Sequence, residues 1–369
     1  LRAGNDINIG VTAAATITAS GTGTITLSAD DNTPNGTGNV NIGGAAIVGG
    51  LVTAGQAISI TAANVVITAT GSINAGAGNV TLKPSTATPT VNVGTVTTGF
   101  SVVNSEIDLI TSTGTITIGD RALANALVVE GVTATTKNIR LATAGTINDN
   151  AALNAVLLTT GTLTLDAAST IGNLSTFNIN VAKLVIKTEA AFAITNAGTL
   201  TDLSVTTNGA VATQSLASTG LTTYTVTEAG SNTALTNVTS AGNLNFSYTN
   251  TVGNITVTTV NAVAGNVSLT STTGSVLDDA NNATAITAGV LTLTAGGAAG
   301  SIGTVVALNE MDTTTANLTL VVGTSFFVAN SIDLTDLSIT STQTGDTNNT
   351  YSLTATSLTF TVTDPGTNY

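Results

Sequence analysis

Gly161-Thr162-Leu163-Thr164-Leu165 sets an aliphatic side chain and a hydroxyl on alternate residues directly after a glycine. An extended chain turns successive side chains to opposite faces, so this segment reads as a strand with one apolar and one hydroxyl face. Gly23-Thr24-Ile25-Thr26-Leu27 and Gly114-Thr115-Ile116-Thr117-Ile118 repeat the phrase. Further strand candidates recur about every eight to twelve residues, the interval of an all-β chain. They are Asn39–Ile42, Ile58–Ile60, Val65–Thr68, Asn79–Leu82, Val91–Val93, Ile107–Ile110, Leu127–Val129, Leu184–Ile186, Leu244–Tyr248 and Leu318–Val322. No segment joins a helical apolar period to helix caps.

A longer beat lies over the short one. Asn138-Ile139-Arg140-Leu141 aligns with Asn266-Val267-Ser268-Leu269, Leu163-Thr164-Leu165 with Leu291-Thr292-Leu293, and Leu200–Thr206 with Leu334–Thr340. Tyr224-Thr225-Val226-Thr227-Glu228 aligns with Phe360-Thr361-Val362-Thr363-Asp364, and the drifting offset places insertions in loops. A unit of roughly 130 residues is therefore expected twice. The division is N-terminal coils over 1–137, a first copy over 138–265 and an incomplete second copy over 266–369, all within one continuous solenoid. The second copy reaches Tyr369 before any counterpart of Asn243 to Gly265, so a longer array is expected.

Gly38-Asn39, Gly78-Asn79, Gly242-Asn243, Gly253-Asn254 and Gly265-Asn266 each precede Val, Leu or Ile. Both residue types tolerate left-handed backbone, Asn can bond its own backbone, and stacked Asn turns can form amide ladders. The first two pairs are spaced as two coils of about 20 residues, a rung length suited to a parallel β-helix. Asp30–Gly36 and Lys83–Pro89 are expected to bulge outward as loops, since proline cannot donate to a ladder.

Composition supports a stack over a globule. Aromatic residues are 3% and charged residues 7%, while hydrophobic residues reach 42%, too many for disorder. The core must be thin layers of Val, Ile, Leu and Ala. Cysteine and histidine are absent, which removes disulfides and thiolate or imidazole chemistry. No stretch approaches the ~20 apolar residues of a membrane span. All seven basic residues fall within the first 187 positions, and the rest carries eleven acids with no base. With no basic patch evident along the chain, neither nucleic acid nor an anionic lipid surface is an expected partner.

The segments Gly78–Thr86, Val91–Gly94, Glu106–Ile110 and Gly114–Gly119, with the Gly-Asn-Val-Ser-Leu-Thr phrase at 265–270 and Gly-Ser-Val-Leu-Asp-Asp at 274–279, resemble repeats of large bacterial exoproteins of the filamentous-haemagglutinin type. The resemblance implies a right-handed parallel β-helix in a secreted adhesin or surface fibre, outside the cell, without enzymatic activity. Its partners would be host or neighbouring-cell surfaces or glycans met through loops, with end-to-end self-association as a further possibility.

Candidate chemistry is sparse. The close acidic sets Asp30-Asp31, Glu106/Asp108, Asp278-Asp279, Glu310/Asp312 and Asp333/Asp336 lack neighbouring bases and read as solvated turn acids. No catalytic, cofactor-binding or metal-ligating residue is assigned and no cofactor is expected; Asp278 and Asp279 would be the best calcium candidates. Thr-x-Thr pairs at 16/18, 24/26, 115/117, 162/164, 225/227, 256/258 and 292/294 invite an ice-binding reading, but their uneven gaps predict no common plane.

Overall fold

The computed structural model describes all residues except 32–33, 135, 151–155, 173–176, 208–213, 220–222, 229–232, 236–237, 240–243, 281–285, 306–309, 343–349, 356–360 and 364–369. Phe360 and Asp364 of the long-repeat alignment and the Gly242-Asn243 turn lie outside the described residues. Among the described residues the chain is all-β, 58% strand and 2% helix, and forms a parallel β-solenoid. It divides into two compact units. The first is Leu1–Thr188 with Phe192–Gly198, the second Glu189–Ala191 with Thr199–Tyr369, so their boundary falls inside the first long-repeat copy.

The early coils of the first unit each contribute three strands to three faces. One face stacks Ile7–Ile9, Asn39–Ile42 and Asn64–Ile67. The second stacks Ala15–Ala19, Gly49–Thr53, Gly71–Gly76 and Ile110–Ser112. The third and longest stacks Ile25–Ser28, Ile58–Ala62, Val80–Pro84, Thr115–Asp120, Asn138–Thr143, Val156–Ala167 and Phe177–Thr188. Every one of these pairs is parallel, which excludes an antiparallel sandwich for them.

Register makes the core. On the long face, Ile25, Ile58, Val80, Ile116, Ile139, Leu163 and Leu184 form one inward column. Leu27, Ile60, Leu82, Ile118, Leu141, Leu165 and Ile186 form a second, two residues along, and both columns are buried. A fully buried aliphatic side chain contributes about 1.5–3 kcal/mol, so each coil added to the two columns adds to the driving force. The second unit repeats the pattern with Leu203 and Val205, Phe246 and Tyr248, Val267 and Leu269, Leu291 and Leu293, and Leu318 and Leu320. Leu163 and Leu291, equivalent in the long repeat, both point inward.

Coil length is less regular than the sequence suggests. The chain advances 19 residues from Leu318 to its partner Leu337 but 36 from Val80 to Ile116. The longer coil contains Val91–Gly94, Phe100–Val103 and a one-turn helix, Asn104–Asp108. That helix corrects the strand expected over Ile107–Ile110, of which only Ile110 is in a strand. The Glu106 carboxylate accepts hydrogen bonds from the backbone N–H of Val103 and Ile67, at 2.9 and 3.0 Å, and Ile107 remains buried. A local cap thus overrides the alternating pattern. Lys83 and Pro84 also belong to a strand, contrary to the loop expected there. Proline is tolerated as the last residue, where its missing N–H interrupts no further pairing.

The Gly-Asn turns act between coils. Asn79 Oδ1 accepts the N–H of Thr115 and Asn254 Oδ1 that of Ser275, both at 2.8 Å. Each Asn therefore clamps the start of a strand on the next coil, where the sequence suggested bonding within its own turn or to a stacked amide. Glycine is required by close approach: a Cβ on Gly265 would lie 2.1 Å from the Leu244 carbonyl oxygen. At Gly94, φ is +116° and a Cβ would lie 1.9 Å from the Glu130 carbonyl oxygen.

Leu163→Ala should lower stability by about 2–5 kcal/mol through the cavity it leaves. Thr164→Ala, one residue along on the outer face, should cost about 0.5 kcal/mol or less. Guanidinium unfolding of the two variants measures the contrast.

Candidate functional surfaces

The longest sheet of the second unit presents ordered hydroxyls. Ser204, Thr225, Ser247, Ser268, Thr292, Thr319 and Ser338 share one register column. Thr206, Thr227, Thr249, Thr270, Thr294, Val321 and Thr340 share the next, two residues along. From Ser247 to Thr340 these residues are half-buried, as expected for side chains on the open face of a sheet. This corrects the sequence argument against a common plane: uneven gaps are absorbed between strands, and the register brings Thr227 and Thr294 onto one face. Thr16/Thr18 and Thr256 lie in other sheets, and Thr258 follows the strand that carries Thr256.

The corresponding sheet of the first unit is charged. Lys83 Nζ pairs with Asp120 at 2.9 Å. Asp166, whose side chain is 6% exposed, accepts Arg121 Nε at 2.9 Å and Arg140 Nε at 3.1 Å. Burial disfavours the Asp120 charge, but the Ala122 N–H, Lys83 and Arg140 outweigh it and hold the carboxyl below its ordinary value. Lys187 lies in register with Asp166 and Lys183 with Thr162, and both lysines are exposed. Sequence spacing concealed this basic face, because its members sit on strands separated by whole coils.

The acidic sets have separate structural roles. Asp30, at φ +62°, is buried and accepts the N–H of Asn35 at 3.0 Å and of Gly36 at 2.7 Å, with Ser85 Oγ at 2.8 Å. Burial opposes its ionisation, but these bonds prevail and lower its pKa. Glu106 is displaced upward by burial, against the pull of its two backbone donors. Asp278 accepts the Ala280 N–H at 2.9 Å. Asp312 is pushed up by burial first, then by repulsion from Glu310 and Asp279. Asp333 is exposed just before the strand Asp336–Ser341, and Asp336 is its exposed first residue. Among the described residues, no group of three or more His, Cys, Asp or Glu could hold a metal ion.

A cleft of about 360 Å³ lies between the loops of the first unit, lined by Asn35, Asn39, Asn64, Thr86, Thr88 and neighbouring small residues. The lining offers amides and hydroxyls for hydrogen bonding and no titratable side chain for proton transfer. No known protein family, curated protein or solved structure matches the chain. Its architecture defines it as a parallel β-solenoid repeat protein.

Glu106→Gln should destabilise the fold by about 1–3 kcal/mol, because an amide replaces one of two buried acceptors. Asp312→Asn should act in the opposite direction. A carboxyl whose folded pKa is raised contributes stability below its unfolded pKa and loses it as pH rises through the folded value. The variant should therefore unfold at a higher temperature than the parent at pH 7, with the advantage vanishing near pH 3. Thermal unfolding at both pH values checks each substitution.

Proposed function

We propose that the chain is a non-enzymatic structural and adhesive segment of a secreted or cell-surface bacterial exoprotein of the filamentous-haemagglutinin type, acting outside the cell. The observation that carries this reading is the in-register ladder: each added coil extends the core and adds one more row of outward polar side chains. Load is borne by stacked backbone pairs, and contact is left to the outer faces and loops. The polar cleft beside Asn35 and Thr86 suits neutral hydrogen-bonding groups such as those of glycans on a host or neighbouring cell. Beads coated with the protein should bind cells or an immobilised glycan panel saturably, and Asn35→Ala with Thr86→Ala should reduce that binding. Absence of saturable binding to any of these surfaces would remove the adhesive part of the reading. Release of reducing sugar from polysaccharides would favour a carbohydrate-active enzyme, and linear end-to-end polymers by electron microscopy would favour a filament subunit.

One observation favours a second reading. The hydroxyl columns of the second unit repeat about every 4.8 Å between coils and about 6.7 Å along a strand, a two-dimensional lattice. Threonine is stiff at χ1, so such a lattice is preorganised and complements the ordered oxygens of an ice surface. This reading predicts thermal hysteresis in solution, abolished by Thr270→Lys with Thr294→Lys. No hysteresis in the parent protein would eliminate it.

A further inference from the structure

One wall of the polar cleft carries an Asn-Gly pair, Asn35-Gly36, whose reactive atoms are already partnered. A glycine nitrogen can reach the side-chain carbon of the preceding asparagine readily, because no β-carbon hinders the backbone. Gly36, at φ +78°, donates its N–H to Asp30 Oδ2 at 2.7 Å. Asp30 is buried, and the Asn35 N–H at 3.0 Å and Ser85 Oγ at 2.8 Å hold its carboxylate in place against that nitrogen. Asn35 Oδ1 in turn accepts the Thr37 N–H at 3.1 Å and the Thr37 hydroxyl at 2.5 Å.

We propose that Asn35 is a self-modification site, converted by its own loop through a succinimide to aspartate and isoaspartate. The Gly36 nitrogen attacks Asn35 Cγ while its proton passes to the Asp30 carboxylate, which lies within the reach a general base requires. The N–H lies in the amide plane, so bonding it to Asp30 leaves the face of the nitrogen open to Cγ. The two Thr37 donors stabilise the negative charge that develops on Oδ1. The Cγ–Nδ2 bond then breaks, Asp30 returns the proton to Nδ2, and ammonia leaves. Asn35 and Gly36 are exposed, so water reaches the ring and opens it at either carbonyl. Both products add a carboxylate to a cleft otherwise lined by the neutral side chains of Asn39, Asn64, Thr86 and Thr88, and isoaspartate also lengthens the main chain by one carbon. The reaction acts once, on the chain itself, and is independent of what the cleft binds.

Peptide mapping by mass spectrometry, on the whole chain incubated near neutral pH, tests it. Asn35 should convert about tenfold or more faster in the folded protein than in the same chain held unfolded in guanidinium, where Asp30 and Thr37 are no longer placed. Asp30→Asn should remove most of that advantage. Thr37→Val, which keeps the backbone donor and loses the hydroxyl, should slow the folded rate severalfold. Ser85→Ala removes a partner of Asp30 but leaves the carboxylate on Gly36, so it should retain the faster rate. Far-UV circular dichroism confirms that the variants remain folded. The proposal is overturned if Asn35 converts no faster folded than unfolded, or if Asp30→Asn or Thr37→Val leaves the folded rate unchanged. It is equally overturned if Ser85→Ala slows conversion as fully as Asp30→Asn, since Asp30 would then act only by anchoring the loop.

Discussion

Everything in this protein depends on one constraint: a residue that faces inward on one coil must lie on an inward residue of the next. Parallel pairing in fixed register makes the column the unit of packing, as with Ile116, Ile139, Leu163 and Leu184. Each column member is held above and below by side chains of similar size, which allows a close-packed core almost without aromatics. A shift of one residue would expose the whole column, so register is specified by the same burial that stabilises it. The Asn clamps reinforce it by fixing where the next strand begins, as Asn79 does for Thr115.

The constraint acts only on strands, which explains the freedom elsewhere. Coils of 19 and 36 residues coexist because the extra length leaves and re-enters between strands without disturbing a column. The helix Asn104–Asp108 occupies such an excursion, tied by Glu106 to the neighbouring Ile67 backbone. Polar groups that do enter the interior are satisfied like peptides. Asn330 accepts the N–H and donates to the carbonyl of Thr315, while Asn196 does the same at Val181. Buried amides therefore continue the backbone ladder where aliphatic residues do not.

The strands were legible in the sequence for a physical reason: alternation is a local property, and Asn39–Ile42 or Leu318–Val322 carry it within four or five residues. The Gly-Asn turns were visible as turns, but their partners lie on another coil and no local spacing reveals them. The same limit concealed both surfaces. Thr227 and Thr294 fall on one face, and Lys83, Arg140 and Lys187 on another, only after coils of unequal length have been wound into register. The helix at Glu106 was missed because a short apolar alternation reads as strand until its cap is known.

Cysteine crosslinking tests the register directly, and the native chain contains no cysteine to confuse it. Ser268 and Thr292 are partners on adjacent strands, whereas Thr294 lies two residues farther along. Adjacent strands are about 4.8 Å apart, within the Cα separation of about 4.4–6.8 Å that a disulfide accepts. Under mild oxidation, Ser268→Cys with Thr292→Cys should crosslink rapidly and almost completely within one molecule, and Ser268→Cys with Thr294→Cys should not. Preferential crosslinking of the second pair, or equal slow crosslinking of both, would contradict a core built from fixed columns.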